Sequence, residues 1–361
     1  MCEKSLCSDA TLSNVYKKQA RNLVKPDEAK NRLCEKERIS CKSCAAARFL
    51  WYGKLTEKRS NLRTGCPSDE GGEHMFEITR LTVEHLAAGC VTDCSTPRIG
   101  FSLSSDRRGA QLADAELTVG DWSAHVTSGQ SAAYVGPALL PFTTYSVRLN
   151  ATDDAGETAT ATTTFETGRM ETPWKGRWIS DPSYHFTEAK VSPVPMVFRK
   201  EITTNKPIAR ARLYATAMGI YEAELNGQKL GEQYFAPGFT SYKSYLQYQT
   251  YDITALLTGV DTLIFTVAGG WAVGSFVFTR KNRVTADRQA LLAELRIEYT
   301  DGTTETIGTD ATWQVSESGP VRMADLYDGE AYDATQEISD WHNAAPETLK
   351  VTSCEIGRAS C

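Results

Sequence analysis

Short runs of alternating hydrophobic and polar residues, separated by turn-forming residues, occupy the chain from Met75 to about residue 168. PRIGFSL at 97–103 and TYSVRLN at 144–150 are two such runs, and DDAG at 153–156 has the composition of a hairpin turn. A hydrophobic period of two is typical of half-buried strands. Several short strands with turns at intervals of roughly 8–12 residues are typical of a β-sandwich. The pattern predicts a sandwich over residues 75–168.

The alternation returns in longer runs between about residues 172 and 345. Asn226-Gly227 and Asp301-Gly302 each separate two such runs, and Asn-Gly suits a type I′ turn, in which both central residues have positive φ. We expect strands at 197–202, 211–217, 221–225, 262–268 and 291–300, and one short helix at 253–257. The fold class is therefore predicted to be all-β, with a second, jelly-roll-like sandwich over residues 172–345.

The run YLQYQTYDI at 245–253 is rich in tyrosine. In one extended strand Tyr245 and Tyr251 would share a face, and Tyr248 would lie on the other. Tyrosines on strands commonly pack at the edge of a core while the hydroxyl reaches water, whereas an exposed row of them could stack on sugars. The sequence leaves both interpretations open.

Composition and charge exclude several classes of protein. The net charge of -6 argues against a broad surface for nucleic acid or for anionic membranes. No apolar run approaches the roughly 20 residues that span a bilayer, so no membrane partner is expected. Neither Met1 nor Met75 is followed by the apolar core of a signal peptide. We therefore expect a cytoplasmic protein.

The segment 1–74 differs from the rest of the chain. It holds six of the ten cysteines and carries 15 Lys/Arg against 10 Asp/Glu, a net of +5, which leaves -11 for the remainder. Cys41 and Cys44 form one CxxC, but a zinc site needs a second close pair, which Cys66 alone does not supply. The run EGGEH directly precedes Met75, and its codons can spell a purine-rich ribosome-binding sequence. We hypothesise that Met75 is the native start and that 1–74 is non-native or disordered.

The C-terminal segment 346–361 raises the same question. Its last residues, EIGRASC at 355–361, are similar to the translation of a common sequencing adapter. We therefore expect residues 346–361 to be a poorly structured tail produced by truncation at about Ser353, with the natural protein continuing beyond it.

Four motifs in a fixed order carry a family resemblance. They are LNGQKLGEQYFAPGFTSYK at 225–243, YQTYDI at 248–253, GGW at 269–271 and DLYDGEAYDA at 325–334. Together they resemble the N-terminal region of bacterial α-L-rhamnosidases, and the sandwich in front, which is similar to fibronectin type III or immunoglobulin-like domains, fits the same layout. The run LPFTTY at 140–145 implies, by that similarity, that Tyr145 packs at a corner between two sheets.

The resemblance implies a parent glycoside hydrolase that removes terminal non-reducing α-L-rhamnose from rhamnosides with inversion. It also implies that the catalytic carboxylates lie in a later domain, a toroid of paired helices, which would be the partner of this region in cis. No position of this chain corresponds to them, so the catalytic set is predicted to be empty and the chain inactive alone.

The candidate carbohydrate-binding residues are Glu232, Gln233, Tyr242 and Trp271. Relatives described as calcium-dependent have an Asp-Asn pair where this chain has Glu232-Gln233. The extra methylene in each side chain displaces oxygens that must lie about 2.3–2.6 Å from calcium, so calcium at Glu232 is doubtful and no other cofactor is expected. Gly269-Gly270 suggests that another surface approaches Trp271 closely, either a ligand or another domain. Glu232-Gln233 as a solvated turn and Trp271 as a core residue are the alternatives.

The acidic cluster Asp325, Asp328, Glu330 and Asp333 is a further candidate, since inverting glycosidases place two carboxylates about 6.5–9.5 Å apart. We expect a structural or interdomain role for it. The sequence thus predicts a carbohydrate-recognition or scaffolding region that binds rhamnose-containing glycosides. A free-standing carbohydrate-binding module and a purely structural pair of spacer domains are the alternatives.

Overall fold

The computed structural model describes residues 75–184, 191–242, 244–276, 281–338, 343 and 350–356. The predicted disordered segment 1–74, with its CxxC, lies outside these residues. Strands dominate the described part of the chain, which confirms the predicted all-β fold. None of the described helices has both the length and the apolar character needed to cross a membrane.

The first sandwich packs a three-stranded sheet on a five-stranded sheet. The three-stranded sheet has the order β1-β3-β6, formed by Phe76–Val83, Arg98–Ser105 and Ser131–Ala133. The five-stranded sheet has the order β2-β8-β7-β4-β5, formed by Cys90–Thr92, Thr158–Thr167, Thr144–Asp153, Leu112–Val119 and Trp122–His125. The short strand β2 runs parallel to β8, whereas the other pairs are antiparallel.

The core of this sandwich comes from the alternating residues that the pattern singled out. Ile99, Val147 and Leu149 are fully buried in one cluster. The ring of Tyr145 stacks on Phe165, and its hydroxyl accepts a hydrogen bond from the Leu140 amide at 2.8 Å. This places Tyr145 at a corner of the sandwich, as predicted, because its hydroxyl bonds to backbone just upstream while its ring closes the core.

The second sandwich has two large sheets. One has the order β13-β12-β15-β10-β18-β21, formed by Gln228–Lys229, Ile220–Leu225, Val260–Ala268, Met196–Thr203, Gln314–Ser316 and Thr352–Ser353. The other has the order β14-β11-β16-β9-β22, formed by Gln249–Asp252, Ile208–Met218, Ala290–Tyr299, Ile179–Ser180 and Glu355–Ile356, and β17 (Thr304–Gly308) also pairs with β16. A ribbon of β19 (Val321–Asp325) and β20 (Gly329–Tyr332) completes the strands.

The inner faces of these sheets enclose a core built around Phe198, Phe265 and Trp313. Asn226 and Gly227 both have positive φ, at 51° and 79°, which confirms the predicted tight turn between β12 and β13. Such a turn matches the twist of the strands that it joins.

Two local predictions are wrong. Residues 254–256 form a turn rather than part of a helix, because the Asp252 carboxylate accepts hydrogen bonds from both the amide and the hydroxyl of Thr254. The regular helix of the described region is instead α1 (Gly270–Val273), and a 3-10 turn follows at Ala334–Gln336. The tyrosine-rich run at 245–253 is not one extended strand either: only β14 is extended. Tyr245 closes a turn on Ser241, and its side chain is 58% exposed.

Part of the C-terminal segment also departs from expectation. Thr352–Ser353 pairs with β18, and Glu355–Ile356 pairs with β9. Between them Cys354 is buried in the core of the second sandwich, and its amide donates to the Trp313 carbonyl at 3.0 Å. Residues 352–356 are therefore ordered, because they pair with the otherwise open edges of β18 and β9.

Candidate functional site

A groove of about 720 Å³ lies between the two sandwiches. One wall is β2 with its flanking residues, from Leu86 to Asp93. The other wall is formed by the loop after β13, at 231–233, and by residues 246–251 leading into β14. Its volume falls within the roughly 300–1,000 Å³ of small-molecule pockets. The tyrosine-rich run singled out in the sequence thus forms one side of an interdomain groove.

Tyr248 joins the two walls. Its hydroxyl donates to Asp93 Oδ2 at 2.6 Å and accepts from the Arg169 amide at 2.9 Å. The other Asp93 oxygen accepts from the Met170 amide at 2.8 Å. Burial, and next the Asp93 hydrogen bond, raise the pKa of Tyr248 well above its usual value, so the phenol stays protonated and remains a donor. These contacts fix the walls relative to each other.

A set of charged contacts continues this junction outside the groove. The Glu166 carboxylate forms ion pairs with Arg210 at 3.5 Å and with Arg212 at 3.0 Å. These pairs join β8 of the first sandwich to β11 of the second. Arg169, in the linker, bonds Glu294 of β16 at 2.8 Å with both side chains buried. The guanidinium of Arg169 also lies 3.9 Å from the centroid of the Trp174 ring, a cation–π contact. The two sandwiches therefore meet through buried and specifically paired groups.

Four exposed polar side chains line the groove: Asp93, Glu232, Gln233 and Gln247. Asp93 is held by Tyr248 and by the Met170 amide, whereas the other three have no side-chain hydrogen-bond partner within the described residues. Gln249, by contrast, is engaged: its amide donates to the Pro237 carbonyl and accepts from the Tyr221 hydroxyl. The lining contains no lysine or arginine. Amides both donate and accept and a carboxylate accepts, so the groove suits a neutral ligand with many hydroxyl groups better than an anion.

The loop that carries Glu232 and Gln233 is held close to the sheet by glycine. Gly231 has a φ of +70°, and a Cβ there would lie 2.8 Å from the ring of Tyr251. A side chain at position 231 would therefore push the loop away from this wall.

The described residues contain no group of three His, Cys, Asp or Glu side chains arranged to hold a metal ion. Glu232 therefore belongs to no described group of three such side chains, and calcium takes six to eight oxygen ligands. Cys90 and Cys94 are both free thiols, and burial raises the pKa of Cys90.

The remaining sugar-binding candidates do not line this groove. Tyr242 is buried, its hydroxyl donates to the Gly238 carbonyl, and burial raises its pKa to about 12. Its ring therefore packs in a small buried cluster, separate from the main core, with Met218 and Val273. Trp271 lies on α1, half-buried against a small cluster that includes Tyr242. The glycines before Trp271 approach this chain's own backbone: a Cβ at Gly269 would lie 2.8 Å from the Gly274 nitrogen.

The acidic cluster is divided between structural tasks. Asp325 accepts hydrogen bonds from the Ser275, Tyr327 and Asp328 amides and from the Ser192 hydroxyl. Burial would raise the pKa of Asp325, but these hydrogen bonds outweigh it and lower the pKa. Asp333 caps the 3-10 turn through the Thr335 amide. Both carboxylates thus hold the β19–β20 ribbon in place.

Sequence reasoning missed Asp93 and Gln247 as groove residues, and for Tyr248 it offered packing or sugar stacking but not a hydrogen bond between the sandwiches. Asp93 lies in the first sandwich, 155 positions from Tyr248. No local pattern predicts such a pairing. The available signal was the tyrosine-rich run itself, whose spacing fits neither a helix nor a purely half-buried strand.

Two family models match the chain. Residues 78–171 match the "Rha78A-like, N-terminal immunoglobulin domain", and residues 206–359 match the "Alpha-L-rhamnosidase N-terminal domain". The second match extends across the paired strands at 352–356. The boundaries expected from the sequence, 75–168 and 172–345, remain predictions.

Curated relatives and a solved structure agree with these matches. An α-L-rhamnosidase of Streptomyces avermitilis is 46% identical over 138 residues, which cover 38% of this chain and 13% of that protein. One from Formosa agariphila is 31% identical over 195 residues, covering 52% and 21%. The crystal structure of the Aspergillus terreus enzyme superposes with a TM-score of 0.68 at 27% identity, covering 74% of this chain and 32% of that one. The chain thus spans about a fifth or less of these curated relatives.

Proposed function

The chain carries the immunoglobulin-like and N-terminal domains of the α-L-rhamnosidases, and on that premise we propose that it is the carbohydrate-recognition part of a longer glycoside hydrolase. The substrate class follows from the relatives: glycosides that contain L-rhamnose. The remainder of the enzyme would supply the catalytic domain in cis.

The groove between the sandwiches carries this proposal. It presents one unengaged carboxylate and two unengaged amides, from Glu232, Gln233 and Gln247, beside the hydrogen-bonded carboxylate of Asp93, and it has no cationic side chain in its lining. Rhamnose is uncharged and offers several hydroxyl groups, each able to donate and to accept. Because the Tyr248–Asp93 bond fixes the walls, little ordering is needed when a sugar enters, and this saves part of the entropy cost of binding.

Titration calorimetry of this chain with L-rhamnose and with a rhamnose-containing disaccharide tests the proposal. We expect binding that Gln233→Ala and Gln247→Ala each weaken roughly five-fold, since each loses about 1 kcal/mol of hydrogen bonding. Gln228→Ala is the matched control, because Gln228 is exposed but lies outside the groove. A calcium chelator should leave this binding unchanged, because Glu232 belongs to no group of three metal-ligating side chains among the described residues. Absence of binding by either sugar would contradict the proposal and favour spacer domains.

We also propose that this chain alone does not hydrolyse rhamnosides. The described acidic cluster serves structural hydrogen bonds, as the contacts of Asp325 and Asp333 indicate. The expected result is no release of nitrophenol from a nitrophenyl α-L-rhamnoside by the purified chain. Turnover that persists through purification and disappears in Asp328→Asn would overturn this part and place catalysis in the β19–β20 ribbon.

A further inference from the structure

Four aromatic side chains form a contiguous patch on the second sandwich. Phe235 and Phe239 are 53% and 59% exposed, and their ring centroids lie 6.0 Å and 5.7 Å from that of the half-buried Trp271. The half-buried Phe276 stacks on Phe239 at 6.1 Å. We call these four residues the aromatic patch. Contiguous exposed apolar surface of this kind marks an interaction site in soluble proteins.

The backbone around the patch is held in conformations that L side chains disfavour. Phe235 has a φ of +58°, a left-handed conformation that is unusual for a bulky residue. Its loop is anchored next to it, where the Tyr221 amide donates to the Ala236 carbonyl at 2.7 Å. On the other side Gly270 has a φ of +52°, and a Cβ there would lie 2.7 Å from Ile220 Cγ2. The fold therefore accepts strain at a position that displays an exposed aromatic ring.

We propose that the aromatic patch is a docking surface for the polypeptide that follows this chain in the complete enzyme. The chemistry of the patch favours a protein partner over a sugar. Phe235 and Phe239 meet Trp271 at interplanar angles of 68° and 56°, so the rings form ridges rather than one flat stacking platform. Phenylalanine also lacks the polar group with which tyrosine and tryptophan add a hydrogen bond. Buried aromatic rings are typical of the cores of protein interfaces.

The length and the path of the chain identify the occupant. The chain spans 13% and 21% of its curated relatives, so most of such an enzyme lies outside it. Its last described strand, β22, pairs with β9. Trp178 directly precedes β9 and packs against the same small cluster as Trp271. The C-terminal end of the described chain thus lies in the sheet next to the cluster that supports the patch. This inference rests on the premise that the chain is part of a longer enzyme, but it does not depend on sugar binding.

Hydroxyl-radical footprinting of this chain and of the complete product of its native gene tests the inference. We expect Phe235 and Phe239 to be modified in the short chain and to lose that modification in the complete protein. Leu140, which is 64% exposed on the first sandwich, serves as the control and should be modified in both. Equal modification of the patch in both proteins, or a native gene without a continuation, would overturn the proposal. Protection of the short chain that appears only at high concentration would assign the patch to a second copy, and protection that appears only with rhamnose would assign it to a ligand.

A substitution provides an independent measurement. Phe239→Ser should lower the melting temperature of the short chain only slightly, because the ring is 59% exposed there although it contacts Trp271 and Phe276. In the complete protein it should lower the melting temperature more than in the short chain and speed proteolysis at the junction. Tyr234→Ser is the matched control, since Tyr234 lies in the same loop, is 75% exposed and contacts Lys229 instead of the patch. An equal effect of both variants in the complete protein would contradict the inference. Sugar binding in the groove should be unaffected, so the two proposals can fail separately.

Discussion

The hydroxyl of Tyr248 in the second sandwich donates a 2.6 Å hydrogen bond to the carboxylate of Asp93 in the first. The same oxygen accepts from the Arg169 amide in the linker, so one phenol contacts both sandwiches and the segment that joins them. The ring of Tyr248 meets those of Trp174 and Tyr214 edge to face. This residue therefore sets the width of the groove that we assign to carbohydrate.

Tyr248→Phe should destabilise the protein by about 1–2 kcal/mol, since the partly buried Arg169 amide loses its partner and the exposed Asp93 carboxylate loses one of its two. Urea unfolding followed by circular dichroism measures the change. Tyr245→Phe is the matched control, because that side chain is 58% exposed, and it should unfold like the wild type. Identical midpoints for both variants would show that the hydroxyl of Tyr248 does not stabilise the junction.

Arg169 and Glu294 form a buried ion pair at 2.8 Å whose removal should be costly. Arg169→Met leaves the Glu294 carboxylate buried beside only the Lys175 and Gly176 amides, and we expect a loss of about 3–5 kcal/mol. The double variant Arg169→Met/Glu294→Met should lose less unfolding free energy than the sum of the losses in the two single variants.

A surface ion pair provides the control for this buried one. Lys206→Met breaks the exposed pair with Asp301 and should cost less than about 1 kcal/mol of unfolding free energy. Strict additivity in the double-mutant cycle would rule out coupling between Arg169 and Glu294.

Local features of the fold were predictable because their causes are local. The turn at Asn226-Gly227 follows from two residues that tolerate positive φ, and the corner at Tyr145 follows from the run that precedes it. The helix expected at 253–257 failed for a local reason as well, since the Asp252 side chain caps a turn instead. The pattern of hydrophobic and polar residues does not show that a side chain such as Asp252 takes hydrogen bonds that a helix would need.

The groove was only partly predictable. Glu232 and Gln233 were candidates on the basis of a motif and do line it, whereas Tyr242 is buried and Trp271 lies outside it. Its other wall comes from residues near Asp93, more than 130 positions away from Glu232 in the sequence. A single sequence holds no signal for which loop of one sandwich meets which strand of the other, because that pairing depends on the packing of the complete fold.

Glu317 follows β18 and is poorly accommodated when it is ionised. Burial, and next the charge of Asp181, raise the pKa of its carboxyl to about 7, although Arg322 partly opposes them. Its Oε1 atom is buried without a hydrogen-bond partner among the described residues. Because the ordinary pKa is 4.5, the folded protein holds a proton on Glu317 between about pH 4.5 and 7 that the unfolded chain has released.

This sign means that Glu317 lowers stability as the pH rises from 4.5 to about 7, and that its full cost is present above pH 7. Glu317→Gln, which imitates the protonated form, should melt at a higher temperature than the wild type at pH 8 and at the same temperature near pH 4.5. Differential scanning calorimetry across this range measures the difference. Glu330→Gln is the matched control, because Glu330 is exposed on β20. Its plot of melting temperature against pH should run parallel to that of the wild type. If the Glu317→Gln curve were also parallel, the carboxyl would be ionised in the folded protein at neutral pH, and the fold would have to supply a partner for it.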